Sequence, residues 1–316
     1  MFKRVIVIDH RVLPQQKVTF KLAAMHTALI RLGDRIQRRD LHHILGRFRL
    51  FRRTYSQVKN AQQYLRSHFH KTEIDKAQLS PNQESSFTGI SLSKTTEELQ
   101  QNAVSFGLSL PSNMVNKIYQ FACETPCREP GFSEEFYASE VQNGQLKGER
   151  HAFRGLVQDP LKCPTIKALT HDPTLLQIVR NYLNYWPTKM TCHLSWSFAV
   201  DLPESEQKKI YPPLNCHYDV AGYNFMTAYF YITDIDVDSG AHVMIQNSHN
   251  RKPLSTLFVP GADPNLADKV LSYYGADSKL TIEGKAGFGF VQDPSCFHWL
   301  LPPKTGRRLL FQIRYA

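Results

Sequence analysis

The spacing of apolar residues changes along this chain. Between about Thr19 and Arg53 they fall three and four residues apart: Leu22, Met25, Leu29, Leu32 and Ile36, then, after a break near Arg38-Arg39-Asp40, Leu41, Ile44, Leu45, Phe48 and Phe51. That spacing predicts amphipathic helices. A weaker helical pattern covers Tyr55 to His70, and Val5 to Ile8 has the length of a short strand. Residues 77–96 are polar around Pro81-Asn82-Gln83-Glu84-Ser85-Ser86 and read as a linker. A helix is expected behind Pro111-Ser112-Asn113, and another from about Thr174 to Leu183 behind His171-Asp172-Pro173.

From Thr191 the period becomes two. Cys192, Leu194, Trp196, Phe198 and Val200 alternate with His193, Ser195, Ser197 and Ala199. Met226, Ala228, Phe230 and Ile232 alternate with Thr227, Tyr229, Tyr231 and Thr233, and Leu309, Phe311, Ile313 and Tyr315 with Arg308, Leu310, Gln312 and Arg314. Each run has one apolar face, suited to packing under helices, and one mixed face, suited to lining a site. The expected fold class is mainly β with flanking helices (α+β), a barrel or sandwich with a polar interior. The expected organisation is a basic, mostly helical segment over 1–76, a linker over 77–96 and a β domain over 97–316.

Composition fits a folded chain of 316 residues, with 42% hydrophobic and 21% charged residues. No run approaches the length of a membrane span, and the apolar run at Val5–Ile8 is too short for a signal-peptide core, so a cytoplasmic location is expected. The six cysteines form no Cys-x-x-Cys pair and are expected to be free thiols. Charge is uneven: residues 1–76 hold 17 Lys and Arg against 5 Asp and Glu, a surplus larger than the net +10 of the whole chain. The remainder is therefore slightly acidic. The basic segment is read as a solvated helical face packed on the rest, with an anionic partner (nucleic acid, a carrier or a lipid surface) or a docking role as the other readings.

Candidate chemistry centres on Asn215-Cys216-His217-Tyr218-Asp219. On extended backbone, residues i and i+2 point to one side, so His217 and Asp219 can reach one metal while Tyr218 points away. His298 follows 79 residues after Asp219. Two histidines and a carboxylate can hold one face of a ferrous ion and leave the other open. Alone, His-x-Asp is a weak signal, and a lone His beside apolar residues is more often a hydrogen-bonded core residue. Arg307 and Arg308 come next. A dicarboxylate cosubstrate such as 2-oxoglutarate would need a bidentate cation for its far carboxylate. Parity selects Arg308, which shares the mixed face with Gln312 and Arg314, whereas Arg307 falls on the apolar side. Arg314 is a candidate for a substrate or second carboxylate contact. His193 and Tyr229, also on mixed faces, are candidates for contacting cosubstrate.

This order resembles the Fe(II)/2-oxoglutarate-dependent oxygenases, and within them the phytanoyl-CoA dioxygenase family, over roughly residues 97–316. The likeness is carried by His217-Tyr218-Asp219, Tyr231-Ile232-Thr233-Asp234 with Ser239-Gly240-Ala241-His242, Asn247-Ser248-His249, and Asp293 through His298 to Arg308 and Gln312. The family often has Gly-Ser-His where this chain has Asn247-Ser248-His249, and Gly after the distal His where this chain has Trp299. The resemblance implies a double-stranded β-helix (jelly roll), with iron on His217, Asp219 and His298 and 2-oxoglutarate on Arg308. Trp299 would narrow the pocket and contact substrate. O2 would be consumed, with ascorbate as a reductant, and 2-oxoglutarate decarboxylated to succinate. Hydroxylation of an unactivated C–H bond in a small metabolite or biosynthetic intermediate is the implied outcome, and the carboxylate of Asp219 argues against halogenation. The alternatives are an oxygenase of the same fold acting on a nucleic-acid or carrier-bound substrate, and a non-catalytic barrel-fold binding protein. Asp234-x-Asp236-x-Asp238 lacks the Gly and Glu of a calcium loop, and Gly287-Phe288-Gly289 lacks the third glycine of a dinucleotide site.

Overall fold

The computed structural model describes residues 41–69, 84–257 and 265–316. The expected strand at Val5–Ile8, the helix from Thr19 to about Arg38 and the first residues of the expected linker lie outside these.

Three antiparallel sheets form the β structure. The strands are β1 (Val104–Ser109), β2 (Cys127–Arg128), β3 (Glu135–Phe136), β4 (Val141–Gln142), β5 (Gln145–Leu146), β6 (Arg150–His151), β7 (Arg154–Val157), β8 (Met190–Phe198), β9 (Met226–Tyr231), β10 (His242–Ile245), β11 (Lys279–Ile282), β12 (Phe288–Gln292), β13 (His298–Leu300) and β14 (Arg307–Tyr315). The large sheet runs β1-β12-β9-β14-β8-β7-β2-β3, a small sheet runs β11-β10-β13, and β4-β5-β6 form a third. The long period-two segments of the sequence are β8, β9 and β14, paired in one register: Arg308↔Ser197, Leu310↔Ser195 and Tyr231, Gln312↔His193 and Tyr229, Arg314↔Thr191 and Thr227.

This register sorts side chains into layers. Trp196, Ala228, Phe230, Phe311 and Ile313 turn outward and share a core with helices α2 (Leu92–Asn102), α3 (Ser112–Glu124) and α4 (Pro173–Leu183). Tyr229, Tyr231, Phe290 and Leu310 turn the other way and meet Met244 and Ile282 of the small sheet. The far side of the small sheet, with Val243, Ile245, Phe297 and Trp299, packs on Leu266 and Val270 of α5 (Leu266–Tyr274). Gly289 of β12 exists for close approach: an added Cβ would stand 2.5 Å from the Phe230 ring. That ring is fully buried, so Gly289→Ala should cost about 1–3 kcal/mol in chemical denaturation.

The helix starts agree with local chemistry. Asp172 caps α4, its carboxylate accepting from Thr174 N and Leu175 N, with Pro173 at the first turn. The same carboxylate accepts from Ser86 N at 2.7 Å and Ser85 Oγ at 2.9 Å, and Phe87 stacks on Phe230 with ring centroids 5.7 Å apart. Residues 85–87, within the expected linker, are therefore packed on the body. The Ser85 side chain and the Ser86 backbone serve a buried cap instead of solvent. The helical pattern around Arg53 also resolves differently: the expected run from Leu41 to Phe51 is interrupted near Gly46, and helix α1 (Arg49–Phe69) then continues through Arg53 and Tyr55 without a break. It is not a separate unit. Gln63 exchanges hydrogen bonds with the Trp186 backbone at 2.8 Å, and Arg52 is buried. The six cysteines are free. Among the described residues no helix is long and apolar enough to cross a membrane.

Candidate metal centre

His217 lies just outside regular strand, in a two-bond bridge to the first residue of β13. His217 N donates to His298 O at 3.0 Å, and His298 N to His217 O at 2.8 Å. Two residues on, Asp219 N donates to Pro294 O at 2.8 Å. The backbone of 217–219 is thus held against 294–298, and alternation does the rest. His217, Asp219 and His298 turn inward. Tyr218 turns outward and meets Phe297 edge-to-face, with centroids 5.4 Å apart.

The ligand atoms of His217, Asp219 and His298 all lie within 4.8 Å of one another. The imidazole centroids are 4.4 Å apart, and His217 Nε2 stands 3.9 Å from Asp219 Oδ1. Each Nδ1 faces a backbone carbonyl two residues earlier, His217 to Asn215 O at 2.7 Å and His298 to Cys296 O at 2.9 Å. A carbonyl only accepts, so each Nδ1 carries the hydrogen and each Nε2 presents a lone pair to the cluster. Burial, and then the neighbouring His217, push His298 down to about 4, so near neutral pH it need lose no proton to bind a metal. Burial raises the Asp219 carboxyl, but His298, Arg314 and His217 outweigh it and leave it below its ordinary value. Arg314 Nη2 donates to Asp219 Oδ2 at 2.5 Å, which leaves Oδ1 on the side of His217.

The interior beyond this cluster is polar and under-satisfied. Arg308 is only 2% exposed, and its contacts are neutral: Gly240 O, and Ser197 Oγ at 2.9 Å. Its Nε has no partner, and no acid faces it among the described residues. Arg307, one residue earlier, is exposed, lies over Trp196 and donates to Ala138 O. Between Arg308 and the cluster stands His242. Its ring stacks on His298 at 5.4 Å and lies 5.4 Å from Tyr229, and burial, with the neighbouring His298 and Arg308, holds its pKa well down. His242 Nε2, Gln292 Oε1, Thr227 Oγ1 and Arg314 Nε are buried without partners. Native interiors leave few such atoms, and a polar guest would satisfy them.

The remaining expected site residues scatter. Tyr229 is buried in the interior, stacked on Phe290 at 4.9 Å, within the field of Asp219. His193 is on the inner face but exposed, at the end of β8 that leads away from Arg308. Trp299 does not stand beside the cluster. It follows His298 directly on β13, so it points to the opposite side, into the layer with Val243 and Val270.

Two groups outside the expected set support the ligand loop. Arg52 of α1 pairs with Asp293 at 2.6 Å and also donates to Ser295 Oγ and to Asn224 Oδ1 at 2.8 Å. The Asp293 carboxylate further accepts from Tyr182 OH and from Ser295 N at 2.9 Å. The stretch Asp293–His298 that these bonds fix supplies Pro294 O to Asp219, Cys296 O to His298, and His298 itself. Asp293-Pro294-Ser295 is a recognisable side-chain-closed turn in sequence. His242 carried a weaker hint, through its place behind Ser239-Gly240.

No family model and no curated protein matches this chain. Solved structures similar to it include AviO1 from Streptomyces viridochromogenes Tue57, with 13% identity over 72% of this chain and 96% of that one and a TM-score of 0.43. HygX from Streptomyces hygroscopicus, solved with nickel, 2-oxoglutarate and hygromycin B, is 16% identical over 71% of this chain and 86% of its own, with a TM-score of 0.47. The non-heme alpha-ketoglutarate-dependent carbocyclase SnoK of nogalamycin biosynthesis is 12% identical over 73% and 85%, with a TM-score of 0.48. The chemistry assigned below rests on the residues of this chain.

Proposed function

We propose that this protein is an Fe(II)/2-oxoglutarate-dependent oxygenase acting on a small biosynthetic metabolite. The observation that carries the reading is the cluster of two histidines that turn Nε2 toward one another's side and one carboxylate, a donor set suited to ferrous iron with open positions. Bound there, iron with 2-oxoglutarate and O2 would supply the oxidising power, with succinate and CO2 as co-products and ascorbate as a reductant. His217 and His298 contribute lone pairs held in place by Asn215 O and Cys296 O. Asp219 contributes charge, with its second oxygen held by Arg314. Arg308, buried and uncompensated, receives the far carboxylate of 2-oxoglutarate, and His242 and Tyr229 border the space between. His193 and Arg314, toward the other end of the inner face, are placed to meet substrate. Asp219 favours hydroxylation over halogenation.

Strands that alternate between the large sheet and the β11-β10-β13 sheet support a double-stranded β-helix. β8 is in the large sheet, the His217 bridge joins the small one, β9 is in the large, β10 and β11 in the small, β12 in the large, β13 in the small and β14 in the large. Two arginines of the basic segment near the site are spent on contacts within the chain. Arg52 is consumed in a buried pair, and Arg47 donates to the Tyr218 hydroxyl and Leu257 O.

Arg308→Ala should weaken 2-oxoglutarate binding by roughly ten- to a hundredfold, as for loss of a charged hydrogen-bonded partner, while leaving metal affinity unchanged. Calorimetric titration of the metal-loaded protein with 2-oxoglutarate checks this. Equal affinity in protein and variant would remove Arg308 from the site. Formation of succinate from 2-oxoglutarate, with iron and ascorbate and across a panel of metabolites, tests the activity itself; a protein that binds no iron and forms no succinate is not an oxygenase.

A further inference from the structure

A second pocket lies outside the barrel interior. It has a volume of about 410 Å³ and is lined by Arg49 and Arg53 of α1 at its rim and by Tyr182, Asn224, His249 and Asp293 deeper in. None of the three clustered metal-ligand candidates lines it. The volume is that of a small-molecule site.

Its charge is unbalanced. Asp293 is the one acid among the lining residues, and its carboxylate is already taken by Arg52, Tyr182 and Ser295 N. Arg49 and Arg53 are exposed and make no ion pair or hydrogen bond through their side chains among the described residues. Arg251 is close enough to act on Arg49. Partial burial lowers the Arg49 pKa, and repulsion from Arg53, Arg251 and Arg52 adds to this. Such a group of guanidiniums is stabilised by an anion, and a phosphate, with a charge of about −1.5 to −2, matches it better than a single carboxylate.

A further observation concerns the pocket wall. His249 is 7% exposed, and its Nε2 lies 3.2 Å from Gln100 O, a carbonyl that only accepts. Nε2 therefore carries the hydrogen and Nδ1 is an acceptor. Burial holds the ring at about 4, so it stays neutral near neutral pH. Nδ1 is buried and has no donor.

We propose that this pocket binds a phosphate-bearing small molecule, its phosphate held by Arg49 and Arg53 and a hydroxyl or amine hydrogen of the same molecule donated to His249 Nδ1. The site is independent of the metal chemistry, although Asp293 in its wall begins the stretch that carries His298.

Isothermal titration of the full chain with inorganic phosphate and with glycerol 3-phosphate tests this without any catalytic readout. Both probes should bind saturably, glycerol 3-phosphate more tightly. The double variant Arg49→Ala, Arg53→Ala should lose at least about tenfold in affinity, because charged hydrogen bonds are removed. Both residues are exposed, so the fold should persist, as thermal unfolding would show. The double variant Lys117→Ala, Lys279→Ala removes the same charge elsewhere and should bind as the parent does. His249→Phe should erase the advantage of glycerol 3-phosphate and leave phosphate binding in place. Absence of saturable binding, equal weakening in the two double variants, or no preference for glycerol 3-phosphate would each overturn the proposal.

Discussion

Replacing Asp219 by alanine is expected to lower Fe(II) affinity by at least roughly a hundredfold, beyond the ten- to hundredfold typical of losing a supporting group around a metal. The carboxylate is the only anion in the cluster of three. Without it, two imidazoles remain beside Arg314, whose positive charge then faces the site uncompensated and repels a cation. The change to apo-protein stability should be small, about 1 kcal/mol or less, because the Arg314–Asp219 pair is about a quarter exposed on both sides and solvent screens it. Metal affinity and stability should therefore separate. Titration of Fe(II) under anaerobic conditions, followed by chemical denaturation of the same samples, reads both. An Asp219→Ala protein that still binds iron like the parent would remove the carboxylate from the site.

Arg52→Ala should give the largest loss of stability, about 3–5 kcal/mol, because it strands Asp293 inside the protein without its cation. The loss should depend on pH in a defined direction. In the parent, burial raises the Asp293 carboxyl, but Arg52, His249 and Tyr182 outweigh it and hold it well below its ordinary value. A depressed carboxyl contributes stability that is fully present above the unfolded pKa, about 3.9, and is lost as pH falls below that. In the variant only burial remains dominant, so the carboxyl rises above its unfolded value and the folded state loses stability as pH increases. The gap between the two proteins should thus be wider at pH 8 than at pH 5. Adding Asp293→Asn to Arg52→Ala should recover part of the loss, since a neutral amide is cheaper to bury than a lone carboxylate. Denaturation curves of the four proteins at both pH values form the test; a gap that does not change with pH would mean Asp293 is not the group left stranded. Iron affinity should also fall in Arg52→Ala, because the 293–298 stretch loses an anchor.

These two predictions mark what the sequence did and did not disclose. The pairing of His217 with Asp219 was legible because backbone alternation is local: a His two residues from an Asp shares its face with it, whatever the partners; His298 was singled out by the family resemblance. The same rule separated Arg308 from Arg307, and the β8, β9 and β14 register places the first inside and the second outside. Applied to β13, it would have turned Trp299 away from His298, where the family comparison had placed it beside the metal. His242 stayed in the background because its role comes from stacking across two sheets, on His298 and Tyr229. Arg52 was one of many arginines on a basic helix. What distinguishes it is an acid 241 residues away, a contact no local pattern encodes. Ser85 and Ser86 looked like linker residues for a similar reason, since the Asp172 carboxylate they satisfy lies over 80 residues on. Local periodicity thus carried the strands and the His217–Asp219 pairing, while long-range polar pairing decided how the N-terminal helix and the 293–298 stretch are fastened.

In the proposed function His217, Asp219 and His298 hold an iron that accepts 2-oxoglutarate. The most direct test is anaerobic absorption spectroscopy as Fe(II) and then 2-oxoglutarate are added. A visible charge-transfer band should grow only when both are present, saturate at a single equivalent of iron, and be missing in His298→Ala. Absence of the band in the parent protein, or an unchanged band in His298→Ala, would contradict it.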